Sequence, residues 1–115
     1  MNIKESIKPF RINYGEESAS LLMAQELGSY KQHIFDERAK DGFRGCGYDW
    51  QSLAYVYLYE KCPQLKEKIK MDSEADMFCV YSKDKKALED FAIGFHALCE
   101  NETEMRDLFS RAELD

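Results

Sequence analysis

The chain has no hydrophobic run approaching the roughly twenty residues of a membrane span, and its first ten residues, MNIKESIKPF, hold no apolar stretch of the kind a secretory signal carries. A cytoplasmic protein is therefore expected. No C-x-x-C pair occurs: Cys46, Cys62, Cys79 and Cys99 are separated by 16, 17 and 20 residues. Neither of the two histidines, His33 and His96, sits at ligand spacing from a cysteine, which argues against a zinc site. Disulfides are not expected in a reducing compartment, so the thiols read as small buried hydrophobes. No Gly-Lys-Ser/Thr is present, which excludes a Walker loop. No internal repeat, low-complexity tract or linker is visible, and 115 residues is the length of one domain, taken here as residues 1–115.

What is present is an apolar share of 44%, too high for a disordered chain, and an excess of acid. The net charge of −6 is uneven: residues 1–71 sum to +1 and residues 72–115 to −7. Such a balance disfavours nucleic acid and anionic membrane, whose phosphates repel it. It suits a basic protein partner, with electrostatic steering of the encounter; the plainer alternative is that the acids only keep the chain soluble.

The hydrophobic pattern predicts an α+β fold. Phe10, Ile12 and Tyr14 alternate with polar residues, a turn falls at Gly15-Glu16-Glu17, and Leu21 and Met23 then oppose Leu22, which reads as a hairpin. Tyr30 to Lys40 reads as a helix stopped by Gly42 in the left-handed conformation. Trp50, Leu53, Ala54, Tyr57 and Leu58 fit the helical template closely, and Cys62-Pro63 ends that segment. Ile69 to Asp72 reads as a short strand. Met77 to Tyr81 reads as a central strand covered on both faces. Asp84 to Cys99 is amphipathic, with Leu88, Phe91, Ala92, Phe95, Leu98 and Cys99 inward, and Asn101-x-x-Glu104 has the form of a capping box for a last helix. The order ββααββαα implies a small antiparallel sheet of about four strands packed against helices on one side.

The stretch Gly42-Phe43-Arg44-Gly45-Cys46-Gly47-Tyr48-Asp49-Trp50 invites a chemical reading. Its G-x-G lacks the third glycine, the preceding strand and the ribose-binding acid of a dinucleotide site. It is expected instead to launch a helix, with Asp49 as N-cap, Tyr48 stapled on Leu53, and a cost of about 0.5–2 kcal/mol for Asp49→Ala. The run Gly45 to Ala54, GCGYDWQSLA, together with MDSEADMFCVYS at Met71 to Ser82 followed by Asp84 and Ala87-Leu88, resembles immunity-protein family 51 over roughly residues 35–100. That resemblance implies a bacterial immunity protein of a polymorphic toxin system, which binds a cognate toxin in the producer's cytoplasm and blocks it. Neither segment is a catalytic signature, and with no cofactor motif in the chain no cofactor and no enzymatic activity are expected.

Two surfaces are candidates for partner binding. Tyr55 and Tyr59 lie at i, i+4 off the inward stripe of the Trp50 helix; either they anchor a partner, as tyrosines at hot spots do, or another element covers them. Asp72, Glu74 and Asp76 alternate across a strand–turn–strand and could meet Lys and Arg of a basic toxin, or form only a solvated turn. They lack the glycine and distal glutamate of a calcium loop, so no metal is expected. Against catalysis, His33 and His96 read as surface or edge residues, and a Cys99–His96 dyad rests only on i, i+3 spacing. Rival readings are an adaptor domain, a small Cys/His enzyme or a dimeric scaffold; oligomeric state is not encoded in these patterns.

Overall fold

The structure, a computed structural model, describes residues 2–114. Among these, strands β1 (Arg11–Tyr14), β2 (Ala19–Met23), β3 (Lys70–Met71) and β4 (Phe78–Ser82) form one antiparallel sheet in the order β1-β2-β4-β3. The helices are α1 (Ile3–Ser6), α2 (Gln32–Asp36), α3 (Gly47–Lys61), α4 (Lys85–Glu100) and α5 (Glu102–Phe109). The fold is α+β as expected, with α1 as an unforeseen turn in front. The signal for it was present: Asn2 is three residues before Glu5, and the Asn2 side chain caps the turn by accepting from Lys4 N at 2.9 Å.

Register explains which side carries the core. Ile12 opposes Leu21, Leu21 opposes Val80, and all three are buried on one face. Phe78, on the same face, meets the Trp50 ring of α3 at 6.3 Å and the Phe95 ring of α4 at 5.6 Å. Both long helices therefore cover one side of the sheet, and β4 is an interior strand buried along its length except at Tyr81, which is half-buried. Cys79 and Tyr81 point to the other side, beside Leu22 and Ser20. On that side Cys79 is buried, and Tyr81, Leu22 and Ser20 are half-buried.

The α4 stripe is buried as its spacing predicts, and Asp84 caps the helix by accepting from Ala87 N at 3.0 Å. That bond, with Lys68 3.0 Å away, holds the Asp84 carboxyl below its usual range. Asn101 accepts from Glu104 N at 3.3 Å and starts α5, whose Met105, Leu108 and Phe109 face inward. The helix expected over 30–40 is shorter. Lys31 takes φ +55 before α2, and a 3-10 turn at Ala39–Asp41 follows it before Gly42 stops the chain at φ +100. Lys31 Nζ reaches Glu102 at 2.9 Å and Glu100 at 3.8 Å, which ties this segment to the α4–α5 junction.

Candidate functional site

Helix α3 starts one turn earlier than its apolar stripe, at Gly47, with Cys46 in the capping position. The reason lies 28 positions further along the chain. Gly47 N donates to Ala75 O at 2.9 Å, and Ser73 N donates to Gln51 Oε1 at 3.1 Å, so the β3–β4 hairpin docks on the first turn of α3. Gly47 is pressed so closely against the hairpin that a Cβ would stand 1.9 Å from Glu74 O and 2.4 Å from Met77 O. The hairpin itself closes by Glu74 N to Met77 O at 2.8 Å and the return bond at 3.1 Å.

Asp49 is thus not the N-cap. It lies inside the helix, only 4% exposed, and its Oδ2 accepts from Arg44 N at 2.6 Å and Gly45 N at 2.8 Å. The carboxylate ties down the preceding loop, where Gly45 takes φ +83, a conformation open to glycine. Tyr48 is the second residue of the helix and not the one before its cap, so it does not hold the staple position, and it is exposed. The GFRGCGYDW stretch is a clasp between loop, helix and hairpin.

Beyond the clasp, α3 carries the two off-stripe tyrosines outward. Tyr55 is 51% and Tyr59 46% exposed, and their rings stack with centroids 4.5 Å apart and planes at 27°. Lys66 Nζ lies 5.5 Å from the Tyr59 ring centroid. At the helical rise, Tyr55 stands about 12 Å along the axis from Gly47. Asp72, Glu74 and Asp76 are all exposed on the docked hairpin. No hydrogen bond or ion pair joins them to another described side chain. Other acids of the C-terminal half are engaged: Glu100 and Glu102 by Lys31, Glu102 by His33, Asp107 by Arg111, Asp84 by Lys68 and Asp90 by Lys86. The clasp puts tyrosines and acids on one helix–hairpin unit, with no hydrogen bond between the two groups among the described residues.

A feature that the pattern did not announce is an open groove of about 590 Å³ between α3 and the segment after α5. Gln51, Ser52, Tyr55 and Val56 form its floor, Met71 one wall, and Arg111, Glu113 and Leu114 the other. The only sequence hint was the apolar Leu114 after the last stripe residue, Ala112.

The thiols offer little chemistry. Burial pushes Cys62 and Cys79 up and Cys99 well up, away from thiolate. His96 Nε2 faces Lys8 O at 2.9 Å, and His33 Nε2 faces Glu102 Oε1 at 3.0 Å, so the Cys99–His96 pairing has no geometric support. Among the described residues, no three His, Cys, Asp or Glu side chains converge as metal ligands. No helix among them is long and apolar enough to cross a membrane.

The family model of Immunity protein 51 matches residues 10–114, nearly the whole chain. The chain belongs to the Immunity protein 51 family. No curated protein and no solved structure matches it. In this member of the family, the two segments that carry the resemblance, 45–54 and 71–82, are the two halves of the clasp, joined through Gly47–Ala75 and Gln51–Ser73.

Proposed function

We propose that this family member works in the cytoplasm of a bacterium as the immunity partner of a polymorphic toxin, binding the cognate toxin domain in a one-to-one complex and performing no chemistry. The contact surface is the helix–hairpin unit. Tyr55 and Tyr59 are the anchors, and Asp72, Glu74 and Asp76 are the charged rim that meets Lys and Arg of a basic toxin. The observation that carries the reading is the stacked, outward-facing tyrosine pair: two large rings held to each other and exposed to solvent present apolar area and hydroxyls already ordered for a partner. The hairpin acids add to it because they lack internal counter-ions, so a partner that brings cations meets charge not already neutralised.

The test is co-expression with the candidate toxin domain encoded beside this chain. Rescued growth together with a one-to-one complex supports the proposal; arrested growth with no complex removes it. Within the complex, Tyr55→Ala or Tyr59→Ala should weaken binding by about 1 kcal/mol or more, roughly fivefold in Kd, with little change in the stability of the free protein.

A further inference from the structure

The groove beside Tyr55 has a chemistry of its own, and the inference drawn from it rests on the toxin-binding reading above. We infer that this groove receives an arginine side chain projected by the bound toxin, its aliphatic stem against Tyr55, Val56, Met71 and Leu114 and its guanidinium at Glu113.

The groove is preformed. Arg111 fixes one wall to α3 with two bonds to Glu60 at 2.8 Å each, and to α5 through Asp107 at 3.1 and 3.2 Å. Arg38 Nη1 donates to Phe109 O at 2.5 Å and Ala112 O at 2.9 Å, pinning the chain where it leaves α5. Leu114 rests against Gly42, where a Cβ would stand 2.7 Å from its Cδ1. The opposite wall, Met71, is held by its pairing with Val80 and by the Gln51–Ser73 bond next to it. A site whose walls are already held loses little ordering entropy on binding and is a favourable receptor for a single inserted side chain.

Its charges choose the occupant. Arg111 is already matched by two carboxylates, so it offers no net attraction to an anion. Glu113 is exposed and has no ion pair or hydrogen bond with another described residue, and Asp72 follows Met71 immediately outside the groove. A purely apolar occupant leaves Glu113 without a partner, and an acidic one is repelled. A long cation satisfies both the apolar walls and the free carboxylate, because its stem covers apolar surface while its head stays at the rim. Arginine fits better than lysine: its planar, weakly hydrated group stacks on aromatic rings and forks onto carboxylates. The chain shows the same arrangement internally, where the Arg38 guanidinium lies 4.4 Å from the Phe43 ring centroid and 5.0 Å from that of Phe109, with Asp41 at 2.9 Å.

The test uses the isolated protein, isotopically labelled, and N-acetyl-arginine amide as probe, followed by amide chemical shifts. The expected result is a saturable response at residues 51–56, 71–72 and 111–114 with a millimolar Kd. N-acetyl-norleucine amide should bind about threefold or more weakly, as should the arginine probe on Glu113→Gln, a surface variant that leaves the fold intact. No response by about 50 mM, equal binding of the norleucine probe, or binding indifferent to Glu113→Gln overturns the inference. Because no toxin is present, that failure leaves the co-expression result standing, and failed growth rescue with a responsive groove identifies the toxin assignment as the error.

Discussion

Replacing Gly47 by alanine sets two physical effects against each other with opposite signs. By helix propensity, alanine in place of glycine in a helix gains about 0.5–1 kcal/mol, less at a first-turn position such as this. The packing points the other way. The new Cβ would stand 1.9 Å from Glu74 O, 2.4 Å from Met77 O and 2.7 Å from Met77 C, all backbone atoms that no rotamer change can move. Restoring an ordinary contact of about 3.4 Å requires the hairpin to retreat by about 1.5 Å. That retreat strains the Gly47–Ala75 and Ser73–Gln51 bonds, each worth about 0.5–1.5 kcal/mol, and adds an overpacking cost of about 1–3 kcal/mol. The net expectation is a loss of about 2–3 kcal/mol, equivalent to a fall in Tm on the order of 10 °C for a chain of this size. Urea unfolding followed by circular dichroism measures it directly. A variant as stable as the parent, or more stable, would show that propensity governs the site and that the clasp geometry is wrong. Should the clasp hold, the same variant also displaces Glu74 and Asp76, and weaker toxin binding should accompany the lost stability.

Other substitutions probe separate parts of the molecule. Asp49→Ala leaves the Arg44 and Gly45 amides without their shared acceptor and should cost about 2–4 kcal/mol in urea unfolding, above the range of a simple helix cap; Asp49→Asn, which keeps an acceptor oxygen, should cost distinctly less. Gly94→Ala puts a Cβ 2.0 Å from Tyr57 Oη and should destabilise by about 1–3 kcal/mol. Adding Tyr57→Phe should recover most of that loss, and a strictly additive double mutant would contradict the contact. The Glu102 carboxyl is pulled down to about 2 by its hydrogen bonds to His33 and Lys31. A depressed acid adds stability that is fully present above its unfolded pKa of about 4.3 and is lost as pH falls toward 2. The stability difference between the parent and Glu102→Gln should therefore be largest near neutrality and shrink through that window in acid; a difference constant with pH would disprove the pairing.

The parts of the fold legible in the sequence are those where one residue's neighbours are close in the chain. The α4 stripe from Leu88 to Cys99, the α5 cap at Asn101 and the stop at Gly42 all follow from spacing or from a local backbone requirement. The start of α3 was hidden because a partner distant in sequence determines it: Gly47 and Tyr48 carry no apolar signal, and the bond that begins the helix comes from Ala75. The same holds for Asp49, whose position before Trp50 suits a cap whereas its partners lie in the loop behind it. The tyrosines were identified as off-stripe by period alone, but whether anything covered them depended on where the sheet lay. The groove was invisible because its walls come from three separated segments and its opposite wall follows the last helix. The apolar run Met77–Tyr81 suggests an interior strand, and β4 lies between β2 and β3 with Phe78, Cys79, Val80 and Ser82 buried.

The two-residue length of β3 also governs what the sheet can become. An edge strand exposes unpaired amides and carbonyls that another chain's backbone can extend, and long flat edges are the usual route to ribbons and fibrils. Here that margin offers only Lys70 and Met71, with a lysine side chain at the rim, before the chain turns into its hairpin. A foreign strand aligned there finds too few ladder positions to offset its own ordering. On that flank, crowding at high expression should not be relieved by sheet-to-sheet polymerisation.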